Sequence, residues 1–138
     1  MRLLTYGRKK LALFQQLERK HPLYGCGNTL IKHIVMWNVQ GHTPLQKAQN
    51  IARLKESFES LRGCIAGLLH LEIGADTSGV DYACDVVLYS EFETQAALDD
   101  YAVHPEHLRV KRELLDIRTA RHQVDYECLV NMHSRRTA

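Results

Sequence analysis

The clearest periodicity in the chain lies in residues 31–39 (IKHIVMWNV), which are rich in β-branched and aromatic side chains. Side chains alternate across a strand, so Ile31, His33, Val35, Trp37 and Val39 share one face and Lys32, Ile34, Met36 and Asn38 the other. Both faces carry apolar groups, which asks for a cover on each side of the sheet. A helix follows. Thr43 is placed to cap it, Pro44 suits its first position, and Gln46 completes a capping-box pattern with Thr43. Leu45, Ala48, Ile51, Ala52, Leu54, Phe58 and Leu61 form its apolar stripe, and Gly63 is its stop signal.

Residues 65–75 (IAGLLHLEIGA) and 82–92 (YACDVVLYSEF) read as the second and third strands, separated by the turn-forming run Asp76-Thr77-Ser78-Gly79. Thr94 opens another helix that runs to about Val103. His104-Pro105 interrupts it, because a residue before proline avoids the helical region. A second helical piece runs from Pro105 to about Leu115, and residues 118–127 (RTARHQVDYE) alternate as a last strand. The order β-α-β-β-α-β is the ferredoxin-like pattern of an α+β fold. In it all helices fall on one side of the sheet, so the second apolar face needs a partner.

Composition adds little to the class but locates the charge. The 138 residues are 45% hydrophobic and 25% charged, an ordinary globular balance for one domain. The net charge of +2 hides an asymmetry: residues 1–30 hold six Lys or Arg and one acid, the remaining 108 hold 12 basic and 15 acidic side chains. A basic stripe for nucleic acid would have to lie in that first segment, so neither nucleic acid nor a membrane is expected as a partner of the folded core. Residues 8–20 can form a short basic amphipathic helix, and His21 to Asn28 reads as a Pro/Gly linker. The expected organisation is a basic extension over 1–29, a domain over 30–128 and a short tail over 129–138. The apolar run LALF is too short for a signal peptide, and no run reaches the roughly 18–20 residues of a membrane helix. Cys26, Cys64, Cys84 and Cys128 are scattered and form no C-x-x-C pair, as expected of reduced structural thiols in a cytoplasmic protein.

Four histidine- and tyrosine-bearing segments carry further information. They are Lys32-His33-Ile34-Val35, then Tyr82 to Glu93, then Asp100-Tyr101-Ala102-Val103-His104-Pro105-Glu106-His107, and finally Val124-Asp125-Tyr126-Glu127. In this order they resemble the stress-responsive A/B barrel (Dabb) family, across about 97 of the 138 residues. The resemblance implies a dimeric α+β barrel, in which two ferredoxin-like sheets pack face to face and so supply the missing cover. It also implies a pocket between each sheet and its own helices. A plant polyketide cyclase of the family uses histidines and tyrosines there, and its residues match His33, Tyr101 and His107. A further pocket tyrosine of that enzyme has no counterpart; the nearest position is Ser57. Val35 and Trp37 share the His33 face and, with His104, are expected to line the pocket.

Two classes of function remain open. One is a small-ligand-binding or stress-responsive dimer. The other is a cofactor-independent cyclase- or isomerase-like enzyme acting on a polyketide-like or aromatic compound. In the second, His33 and His107 transfer protons and Tyr101 positions the substrate. Each also has a structural reading, as a packed or backbone-bonded side chain. No Gly-rich phosphate loop, zinc pattern or nucleophile elbow is present, so neither cofactor nor metal is expected. His104 and His107 are three apart, but Pro105 sets His104 before the helix, where it serves better as a cap than as a ligand.

Overall fold

A computed structural model describes residues 29–130. Its elements run β1 (Thr29–Val39), α1 (Pro44–Glu59), β2 (Leu68–Ala75), β3 (Val86–Phe92), α2 (Gln95–Val103), α3 (Pro105–Glu113) and β4 (Arg118–Leu129). The four strands form one sheet in the order β2-β3-β1-β4, with every neighbouring pair antiparallel. This is the expected β-α-β-β-α-β order, with the second helix split at proline. The expected extension (1–29) and tail (129–138) lie outside the described residues except for Thr29, Leu129 and Val130. Thr29 pairs with Leu129, so the sheet reaches one residue past each expected edge of the 30–128 domain.

The alternation of β1 translates directly into burial. Ile31, His33, Val35, Trp37 and Val39 are all buried, while Met36 on the opposite face is exposed. The buried face packs against the helices through a core whose most enclosed members include Leu54, Phe58, Leu61, Leu88, Phe92, Val110 and Leu114. Each such side chain contributes on the order of 1.5–3 kcal/mol by leaving water. Among the described residues, the opposite face of the sheet carries no helix. It presents Ile34 and Val87, half-buried, with Met36, Val124 and Tyr126, exposed.

The helix starts follow the sequence signals. Thr43 Oγ1 accepts from Gln46 N–H at 3.1 Å, and Gln46 Oε1 reaches back one residue further than a capping box, to His42 N–H at 3.0 Å. Thr94 caps α2 by accepting from Ala97 N–H. Two strand starts differ from expectation. β2 begins at Leu68 rather than Ile65, because Gly67 turns into the left-handed region (φ 75°). A Cβ there would lie 2.5 Å from the Ala97 Cβ, so this glycine also allows α2 to sit against the turn. β3 begins at Val86 rather than Tyr82. Residues 82–85 are instead a loop tied down by Asp85, whose carboxylate accepts from Val39 N–H and pairs with Lys47 at 2.7 Å. No helix among the described residues is long and apolar enough to cross a membrane.

Candidate functional site

β4 is an edge strand, and its side chains stay largely exposed although its partner β1 is buried. The helices cover β1, β2 and β3, and the helix-facing side of β4 is left to form one wall of a cavity of about 570 Å³. β1 provides the floor, α2 and α3 the opposite wall, and Phe58 of α1 the far end. Of the six residues the sequence singled out, His33, Val35, Trp37, Tyr101 and His107 line this cavity. His104 does not. Its Nδ1 accepts from Glu106 N–H at 3.2 Å, so the ring caps α3, and its extended backbone (ψ 134°) is the hinge that Pro105 demands. Ser57 also lies outside the wall, while its neighbour Phe58 stacks on Trp37 at 5.2 Å between ring centroids.

Tyr101 stands between the two histidines. Its ring stacks on His107 (centroids 4.0 Å, planes 24° apart) and meets His33 edge-on at 6.0 Å. The residue is 2% exposed, and its hydroxyl has no hydrogen-bond partner among the described residues. Burial pushes its phenol up, against the opposing pull of Arg121 and Arg118, so it is a neutral donor near neutral pH. Trp37 Nε1 is likewise buried without a partner. An unmet buried donor costs about 1–3 kcal/mol, and both of these belong to residues that line the cavity.

The two histidines are held differently. His33 Nδ1 lies 2.6 Å from Asp125 Oδ1, directly across the β1–β4 ladder. With a carboxylate as partner, Nδ1–H is the donor and Nε2 is left as the free ring nitrogen. The second oxygen of Asp125 accepts from Gln123 Nε2 at 2.7 Å, which fixes the carboxylate. His107 donates Nδ1–H to Ala102 O at 3.3 Å, near the end of α2. Burial pushes its pKa down to about 4, while the Ala102 carbonyl opposes that shift, so His107 is neutral in ordinary buffers with Nε2 as an acceptor. One histidine thus faces a carboxylate, and the other is kept uncharged by burial.

The sequence reading missed Asp125, Arg118 and Arg121. All three line the cavity from β4. Arg118 sits over the Trp37 ring, 5.7 Å from its centroid, and donates to the carbonyls of Leu114 and Lys111. A signal for Asp125 existed: once β1 and β4 are paired antiparallel, the position opposite His33 is an acid. Among the described residues no group of three or more His, Cys, Asp or Glu side chains converges in a way that could hold a metal ion.

Comparison with known proteins agrees with this architecture. No curated protein matches the chain. Among solved structures, a dimeric protein of ferredoxin-like fold from Bacteroides fragilis is 30% identical, with a TM-score of 0.64 over 72% of this chain and 96% of that one. A Dabb family protein from Mesorhizobium loti is 23% identical, with a TM-score of 0.55 over 71% and 95% of the two chains. Hydroxynitrile lyase from Passiflora edulis is 14% identical, with a TM-score of 0.60 over 75% and 94%, a likeness of fold alone. The profile of the Stress responsive A/B Barrel Domain matches residues 31–128. With the strand order and the segments around His33, Tyr101 and His107 in place, the chain belongs to the stress responsive A/B barrel domain family.

Proposed function

We propose that this protein binds a small, partly apolar molecule in the cavity between β4 and α2–α3, and does so as a homodimer. The observation that carries the reading is a cavity lined by Tyr101 and Trp37, whose Oη and Nε1 donors are buried without a partner among the described residues, together with apolar Val35, Phe58, Leu88 and Leu98. Natural ligand pockets have this make-up and fall in the range of about 300–1,000 Å³. A dimer is supported by the sheet face around Ile34, Val87, Met36 and Val124, which no element among the described residues covers, and by the Bacteroides fragilis neighbour, which is itself dimeric. Residues 1–28 are proposed to lie outside this unit; deleting them should leave the unfolding midpoint unchanged, and a large loss of stability would refute that. A cytoplasmic setting is proposed as well; Cys64, Cys84 and Cys128 form no disulfide among the described residues.

A ligand-observed NMR screen of a fragment library tests the binding reading. Hits should bind the wild type and be lost in Ala102→Trp, which places an indole on the cavity wall. Hits that bind both proteins equally would locate binding elsewhere.

A second reading is favoured by the His33–Asp125 pair. A histidine with Nδ1–H held by a carboxylate is arranged as a general base, with neutral Tyr101 as donor to a developing oxyanion. Such a site suits cyclase- or isomerase-like proton transfer on a polyketide-like or aromatic carbonyl compound, with His107 as an acceptor. Deuterium exchange into phenylacetone, followed by NMR in D2O, is a direct probe. Catalysed exchange that falls roughly 10²–10⁴-fold in His33→Ala supports an enzyme. Exchange at the buffer rate in the wild type supports a binding protein alone.

A further inference from the structure

The cavity wall carries a cationic group that the histidine–tyrosine set does not use. Arg118 and Arg121 of β4 and Lys111 of α3 all line it. Elsewhere in the domain arginines are matched: Arg53 pairs with Asp116, Arg62 with Glu59, and Arg109 with Glu106 and Glu113. Among the described residues, Arg118 and Arg121 pair with no carboxylate. Arg112 pairs with none either, but it is exposed on α3 and takes no part in the wall. The acids that do line the cavity are already committed. Asp125 is held by His33 and Gln123, and Asp99 accepts from Gln95 Nε2 at 3.0 Å.

The arginines are also anchored in that wall. Arg118 is anchored through Nε and Nη2 to the carbonyls of Leu114 and Lys111, which leaves Nη1 uncommitted. Arg121 is bonded through Nη2 to Gln123 Oε1, also on β4. Burial lowers the Arg118 pKa, repulsion from Arg121 lowers it further, and both guanidiniums act on the Tyr101 phenol. Arg118 and Arg121, opposite Val39 and Trp37 in the ladder, thus line the same cavity as Tyr101, whose buried hydroxyl has no partner among the described residues, and an anion there would offset the two like charges. Guanidinium and carboxylate match in geometry as well as in charge.

We propose that the cavity selects a monocarboxylate with an apolar body, its carboxylate received by Arg118, Arg121 and the Tyr101 hydroxyl and its body lying on Trp37, Phe58 and Leu98. This rests on the ligand-binding reading above and narrows it to a chemical class. Trp37 is the chain's single tryptophan and lies in the wall, so its fluorescence reports occupancy without a label.

The test titrates octanoate and cyclohexanecarboxylate, and separately the neutral octanamide and cyclohexanecarboxamide, into the wild type, Arg121→Met and Arg118→Met. Circular dichroism of each variant confirms the fold. The acids should bind the wild type roughly tenfold or more tightly than the amides, the range expected for a hydrogen bond to a charged group. Arg121→Met, at an exposed position, should bring acid and amide affinities to within about twofold of each other. Equal binding of acids and amides to the wild type overturns carboxylate selectivity and leaves the binding site standing. An acid preference that survives in both variants overturns the role given to the arginines. If neither acids nor amides bind, the ligand-binding reading fails, and this inference with it.

Discussion

Removing a single oxygen from the core, in Tyr101→Phe, should stabilise the fold and weaken the site together. The ring makes all of Tyr101's packing: it stacks on His107 at 4.0 Å, meets Phe92 at 5.1 Å and faces His33 at 6.0 Å. Phenylalanine keeps every one of those contacts. What is lost is a hydroxyl buried at 2% residue exposure with no partner among the described residues. Leaving such a group unmet costs about 1–3 kcal/mol, so deleting it should raise the unfolding free energy by about 1 kcal/mol. Urea unfolding at matched protein concentration is the assay, because a dimer's midpoint depends on concentration. In the same preparation, affinity for any ligand of the cavity should fall. A loss of about 1 kcal/mol or more would show that the hydroxyl already has a structural partner. The argument that it awaits a ligand would then be wrong.

Three other outcomes follow from the same geometry. His107 is held at about 4, below its ordinary 6.5, so the unfolded chain takes up the proton first as the pH falls. Its contribution is complete above pH 6.5 and is lost between 6.5 and 4; in urea titrations across that window His107→Gln should show a shallower fall than the wild type, and identical slopes would remove the assignment. Gly67→Ala must place a Cβ 2.5 Å from the Ala97 Cβ at φ 75°, so it should cost about 2 kcal/mol or more, and a neutral effect in thermal unfolding would contradict the close approach of α2 to this turn. Val124→Glu sets a charge on the uncovered sheet face at a position 50% exposed in the protomer; light scattering should report a folded monomer, and an unchanged dimer would move the interface elsewhere.

Much of this fold was legible because its signals are local. Alternation assigned both faces of β1 correctly, and Thr43, Pro44 and Thr94 marked helix starts that the backbone confirms. The misplaced starts of β2 and β3 have a common cause. Apolar residues such as Ile65 and Tyr82 extend the strand-like pattern, but Gly67 takes a left-handed conformation and Asp85 ties its loop to Val39 and Lys47. Neither event is encoded in hydrophobic spacing. The site was legible through its histidines and tyrosine and illegible through its charges. Asp125 is 92 residues from His33, and only the β1–β4 register brings them together. Arg118 and Arg121 look like solvated residues of an edge strand. They face a cavity only because the helices stop short of β4. His104, expected to line the pocket, instead turns its ring to the Glu106 amide as the cap of α3.

The measurement that bears most directly on the central claim is affinity selection from cell extract. The wild-type protein and Ala102→Trp are each incubated with the small-molecule fraction of a cell lysate, passed through a desalting column, and the retained compounds identified by mass spectrometry. A binding cavity between β4 and α2–α3 predicts at least one compound retained by the wild type and absent from the variant, and the purified compound should then alter Trp37 fluorescence in a saturable way. Retention of nothing, or of the same compounds by both proteins, would contradict it.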